Sequence, residues 1–157
     1  VMPVIKIITI ISAPIERCFD LSRSIDLHKM STAKTNEIAI AGTTSGLINK
    51  DEFVTWQARH FGITQQLTTV ITEMKSPTYF VDEMKKGVFK KFKHEHFFEF
   101  KNGITQMTDI FDYTSPFGII GKVADFVFLK NYMSKFLTHR NEIIKDFAES
   151  NKWQQVL

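Results

Sequence analysis

Apolar and polar positions alternate along much of this chain, and where the alternation stops they recur at helical spacing. Val4 to Ile11 is a β-branched run ending at Ser12-Ala13-Pro14. It is too short for a helix and predicts a first strand, apolar on both faces. Ser12 and Pro14 then announce a helix in which Ile15, Cys18, Phe19 and Ser22 share a face. Arg23-Ser24-Ile25-Asp26 breaks it, and Ile25 to Met30 add a second short turn. From Thr32 to Gly46 the pattern is weak, with Gly42 and Gly46 marking turns or bulges. Asn49-Lys50-Asp51-Glu52 reads as a hairpin connection into Phe53 to His60, where Val54, Trp56 and Ala58 alternate with Thr55, Gln57 and Arg59. Phe61-Gly62-Ile63 is a turn. Thr64 to Met74 and Tyr79 to Met84 are further strands, separated by Lys75-Ser76-Pro77.

The sharpest alternation follows. Phe92, His94, His96, Phe98 and Phe100 share one face of a strand, opposite Lys91, Lys93, Glu95 and Glu99. Lys101-Asn102-Gly103 is a tight turn, with Gly where a positive φ is needed. The return strand puts Thr105, Met107, Asp109, Phe111 and Tyr113 on one face. Period two then gives way to steps of three and four. Ser115-Pro116 is a helix start, a capping hydroxyl followed by a residue with no N–H to leave unpaired. Phe126, Leu129, Met133, Phe136, Ile143 and Phe147 form an apolar stripe interrupted by Arg140, with Lys130, Ser134, Lys135, Thr138, Glu142 and Lys145 opposite. The stretch from Ser115 to Glu149 makes a helix of some thirty residues, about 45 Å long, that needs a broad apolar partner. The order is strand, two short helices, about six antiparallel strands and a long helix. We read residues 1–157 as one α+β domain. A meander of six to seven strands twists and curls. A long helix laid in that curl leaves an apolar-walled pocket wherever the two surfaces do not meet.

Composition sharpens this picture at a few points. Fifteen Phe against two Trp and three Tyr in 157 residues imply a thick core or a ring-lined space, because Phe has no polar handle. The net charge of +3 and the lack of an aromatic–basic stacking platform argue against a nucleic-acid partner. Lys85, Lys86, Lys90, Lys91 and Lys93 are either a phosphate patch or a solvated strand–turn–strand edge. The single Cys18 excludes an internal disulfide and, with no apolar run of membrane-spanning length and no signal-peptide pattern at Val1-Met2-Pro3, points to the cytoplasm.

The element order, with Ile-Ser-Ala-Pro-Ile-Glu-Arg-Cys-Phe-Asp at residues 11–20, resembles the START-like (SRPBCC) helix-grip superfamily. Tyr79-Phe80-Val81-Asp82-Glu83-Met84, His94-Glu95-His96 and Met107-Thr108-Asp109 are similar to a bacterial branch labelled polyketide cyclase/dehydrase-like. The resemblance runs from about Val4 to Glu149. It implies an α+β helix-grip fold, a curved antiparallel sheet wrapped around a long C-terminal helix with two short helices after the first strand. It also implies an internal cavity for small apolar ligands. It does not imply one chemistry, since members range from catalysts to carriers.

Candidate chemistry centres on His94 and His96, two imidazoles on one strand face about 7 Å apart along the chain. With Asp109 from the paired strand they could bind zinc or form a polar strip with each ring satisfied by a neighbour; we expect no metal and no cofactor. With Asp109, and Asp82 as a further member, they could serve as an acid/base group or only orient a ligand. Arg140, inside the helix stripe, either snorkels to water or faces a carboxylate: Asp109, Asp112 or an acidic ligand. Trp56 and His60 share a strand face and could line the opposite wall; the alternatives are core packing for Trp56 and solvation for His60, near the strand end. Phe117-Gly118-Ile119-Ile120-Gly121 is either a close approach to the sheet or a flexible gate, since two Gly in a first turn cost about 1 kcal/mol each. Its apolar lip could touch a membrane transiently during ligand exchange. The ligand-facing set expected from these arguments is Trp56, Phe80, Asp82, Phe92, His94, His96, Phe98, Met107, Asp109, Phe111, Phe117, Ile120, Leu129, Met133, Phe136 and Arg140. The leading functional expectation is a protein, monomeric or homodimeric, that binds a hydrophobic small molecule (lipid, isoprenoid or polyketide-like). A cyclase/dehydratase using His94, His96 and Asp109 and an interaction module with a filled core are the alternatives.

Overall fold

A computed structural model describes residues 4–60, 62–115 and 128–157. Its centre is a seven-stranded antiparallel sheet. In chain order the strands are β1 (Val4–Ile11), β2 (Ile38–Gly42), β3 (Phe53–His60), β4 (Ile63–Lys75), β5 (Tyr79–Lys86), β6 (Lys91–Lys101) and β7 (Ile104–Thr114). In space they run β1-β7-β6-β5-β4-β3-β2. Strands β2 to β7 are therefore a plain meander, and β1 closes its far end by pairing with β7. The chain must cross from the β1 edge to the β2 edge, and two short helices, α1 (Ile15–Ser22) and α2 (Ile25–Ser31), carry it there. Ser24 caps α2, its Oγ accepting the Leu27 N–H at 3.1 Å. The last helix, α3 (Lys130–Glu149), packs on β1, α1 and α2.

The alternation along β6 and β7 appears in the structure as one buried face. Phe92, His94, His96 and Phe98 point inward on β6, and Thr105, Met107, Asp109, Phe111 and Tyr113 on β7. The β6–β7 turn has Asn102 at φ 54° and Gly103 at φ 78°. Two consecutive left-handed residues match the strand twist. Phe100 departs from its predicted face: it is 50% exposed, one residue pair from the β6–β7 turn at the end of the ladder. The weak Thr32–Gly46 stretch contains the edge strand β2, whose ladder to β3 shifts register between Ala39 and Ala41. That irregularity breaks the period-two signal. β1 is apolar on both faces as its sequence reads, yet its outward Val4, Ile8 and Ile10 remain exposed.

The terminal helix buries a stripe rotated from the one its apolar residues suggest. Leu137, Arg140, Asn141, Ile144, Phe147 and Ala148 are buried, while Met133, Phe136 and Ile143 are half-buried. The difference is two polar residues, Arg140 and Asn141, drawn inward by a buried carboxylate. Among the described residues, the apolar side chains form two clusters. One packs α1, α2 and the end of α3 on the sheet through Phe19, Phe80, Phe98, Met107 and Ile144. The other joins Ile5, Phe92, Phe111, Tyr113 and Leu137. The helix start at Ser115-Pro116, the stripe residue Phe126 and the Phe117–Gly121 gate fall in or run into 116–127, outside the described residues. Among the described residues no helix is long and apolar enough to cross a membrane.

Candidate functional site

Strand register brings together a histidine–carboxylate group on the inner face of the sheet. His94 lies opposite Asp82 on β5 and Phe111 on β7, and His96 lies opposite Phe80 and Asp109. Inward residues on paired strands stand about 5 Å apart at Cβ, so these four polar side chains meet. Asp109 Oδ1 is 2.8 Å from His94 Nε2, and Asp82 Oδ2 is 2.7 Å from His96 Nε2. His96 Nδ1 sits 3.0 Å from the same Asp109 Oδ1, close enough for charge attraction but out of line for a hydrogen bond. The two imidazoles stack with centroids 3.8 Å apart, and Phe80 stacks on His96 at 4.0 Å.

The terminal helix completes this group. Asn141 Nδ2 donates to Asp109 Oδ2 at 2.7 Å. Arg140 Nη1 lies 3.8 Å from Asp109 Oδ1 and donates to Asn141 Oδ1 at 3.1 Å. Its Nη2 donates to the Ser22 carbonyl at 2.9 Å. Arg140 therefore does not snorkel. It is 7% exposed and ties α1 to the sheet's carboxylate.

Four neighbouring titratable groups divide the protons among themselves. Burial alone would raise Asp109, but the hydrogen bond from His94 and the charge of His96 beside it hold it well below the usual carboxylate value. Asp82 follows the same pattern through His96, its pKa lowered despite burial. Burial works against the charged form of His96 too, yet the two carboxylates prevail and raise it. His94 is lowered, by burial first and then by the His96 charge. Of the two imidazoles, His96, between two carboxylates, therefore favours the charged form, and His94 the neutral one.

Beside this group is a cavity of about 380 Å³, within the range that holds a drug-sized molecule. Of the side chains expected to face a ligand, Trp56, Phe80, Asp82, Phe92, His94, His96, Phe111, Leu129, Met133, Phe136 and Arg140 line it. Three do not. Phe98 and Met107 are packed in the core with Phe19, and Asp109 is 1% exposed behind the histidines. They share the inward face, but the first helices cover that end of the sheet. Phe117 and Ile120 lie outside the described residues. Among the described residues, the donors for a divalent metal with atoms within 4.8 Å of one another are Asp82, His94 and His96. Asp82 thus stands where the sequence suggested Asp109, which instead sits behind His94 as its hydrogen-bond partner.

Sequence reasoning passed over part of this wall. His28, Glu37 and Tyr132 line the cavity, as does His60, expected either there or in solvent, with Nδ1 2.7 Å from the Tyr132 hydroxyl. Glu37 comes from the segment with no clear period, and His28 from the short helix α2. Tyr132 is one turn before Phe136 on α3, a spacing that could have flagged it.

No protein-family model and no curated protein sequence matches the chain, whereas solved structures do. A ginseng (Panax ginseng) major latex-like protein superposes with a TM-score of 0.70 at 14% identity, over 95% of this chain and 99% of its own. A START superfamily protein from Mycobacterium smegmatis gives 0.69 at 10% identity, over 93% and 97%. A protein of Thermus thermophilus gives 0.70 at 15%, over 90% and 97%. What these share with the chain is the fold. The chain has the START-like, helix-grip fold.

Proposed function

We propose that the chain binds and carries a hydrophobic small molecule, of lipid, isoprenoid or polyketide-like character, in the cavity between sheet and terminal helix. The observation that carries this reading is the cavity itself, with Trp56, Phe80, Phe92, Phe111 and Met133 as walls and a hydrogen-bonding strip of Asp82, His94 and His96 on one side. Apolar walls supply affinity, and a few converging polar groups orient the bound molecule. The His94 Nδ1 and the Asp82 carboxylate suit a ligand hydroxyl, which can donate to either acceptor. The test is organic extraction of the purified protein followed by mass spectrometry. An apolar compound recovered in stoichiometric amount supports the proposal. Empty protein that also binds no apolar dye refutes it.

An enzymatic reading of cyclase or dehydratase type rests on one specific observation. Burial and the neighbouring His96 favour the neutral form of His94, and its Nε2 is engaged by Asp109, which leaves Nδ1 as the nitrogen able to take a proton. Conversion of the extracted compound by the wild type, abolished in His94→Phe and His96→Phe, separates enzyme from carrier.

A further inference from the structure

The cavity has a second polar group, three strands away from the histidine pair. Glu37 is 9% exposed and lines the cavity. Its Oε1 lies 3.0 Å from His28 Nε2, and its Oε2 accepts from Thr35 Oγ1 at 3.2 Å. The His28 ring lies over Trp56 with centroids 4.3 Å apart. His60 is on the same wall, and Glu37's charge is felt there. A carboxylate has roughly four acceptor positions, of which His28 and Thr35 take two. A shielded carboxylate facing an apolar space carries a desolvation penalty, which a donor on the bound molecule would offset.

Strand geometry sets the span between the two groups. Trp56, under His28, is on β3, and His94 is on β6, so three strand spacings separate them, about 14 Å across the sheet. Trp56 pairs with Leu67, whereas His94 is reached through Asp82 and then Ile71. Leu67 to Ile71 adds about 13 Å along the strand. The line joining the groups is therefore a diagonal of the curved wall, shortened through the cavity by the curl. Leu67, Thr69, Ile71 and Phe80 line the space between, and all but Thr69 are apolar.

We propose that the ligand is bipolar: an elongated apolar molecule with one polar group at the Asp82–His94–His96 wall and a hydrogen-bond donor, hydroxyl or amine, at Glu37 and His28. This rests on the binding reading above and deepens it. A ligand polar at one end only would leave one buried polar group facing hydrocarbon.

The experiment compares α,ω-alkanediols from octane to hexadecane with the matching primary mono-alcohols, by displacement of anilinonaphthalene sulfonate. Exchanging a terminal methyl for a hydroxyl weakens purely apolar binding. The proposal expects the reverse at one optimal length, where the diol binds at least as tightly as the mono-alcohol. Glu37→Gln or His28→Phe should cut the diol-to-mono-alcohol affinity ratio about fivefold to tenfold at that length. The ratio is internal to each variant, so a variant that has lost folded protein cannot mimic the result. Diols that bind more weakly than mono-alcohols at every length in the wild type overturn the bipolar ligand and leave the carrier reading standing. If neither dye nor any alcohol binds, the carrier reading falls, and this inference with it.

Discussion

Asp109→Asn is the substitution that tests the buried group most directly. The carboxylate is 1% exposed. It accepts from Asn141 Nδ2 at 2.7 Å, lies 2.8 Å from His94 Nε2, and has His96 Nδ1 and Arg140 Nη1 at 3.0 and 3.8 Å. An amide keeps the shape and removes the charge, and its NH₂ must face a donor on either His94 or Asn141. Arg140 and the His96 imidazolium then lose a buried counter-charge. Removing one partner of such a group costs about 3–5 kcal/mol. For a chain of this size that lowers Tm by about 6–20 °C, at 2–4 °C per kcal/mol. The assay is urea and thermal denaturation at neutral pH, with NMR titration of the histidines. The His96 pKa should fall, since the charge that held it up is gone. A loss of less than about 1 kcal/mol, with an unmoved His96, would refute the reasoning: the carboxylate would then not hold the charges we assign to it.

The remaining predictions follow from neighbouring features. Asp109 and Asp82 have lowered folded pKa values, so their stabilisation is full above the unfolded carboxylate value of 3.8 and is lost as pH falls through the folded ones. The raised pKa of His96 gives the opposite sign: its contribution is full below 6.5 and fades as pH rises through the folded value. His94→Phe removes the opposing His94 titration, so in that variant stability should decline as pH rises beyond 6.5, by chemical denaturation at a series of pH values. A flat profile would contradict it. Phe80→Ala removes a ring stacked on His96 and edge-on to Phe19 and should cost about 3–5 kcal/mol in the same assay. Ala58→Phe puts a ring into the cavity from β3 and should weaken dye binding at least about tenfold, if burial follows the usual area scale, with the thermal transition retained. Gly103→Ala forces a Cβ onto φ 78°, though nothing crowds it, and should cost about 1–2 kcal/mol.

Much of the site was legible along the chain because strand parity is simple. Phe92, His94, His96, Thr105, Met107, Asp109, Phe111 and Tyr113 face inward as period two requires, and the β6–β7 turn follows from Asn102-Gly103. Element order and the 11–20 segment suffice for the helix-grip fold. What parity does not contain is how far along the inner face the helices reach. Phe98 and Met107 are core and Phe92 and Phe111 are cavity, although all four share that face, because α1 seals one end of the sheet. Likewise the helix stripe is centred on Leu137, Arg140, Asn141 and Ile144, which apolarity alone misplaces: Asp109, more than thirty positions earlier in the chain, turns Asn141 inward. Glu37 and His28 join the cavity only after β1 has paired with β7 and the chain has crossed to the other edge. Local periodicity thus determined which face each side chain presents. Only the packed structure decided which of those faces meets a neighbour and which borders empty space, because that depends on surfaces brought together from distant parts of the chain.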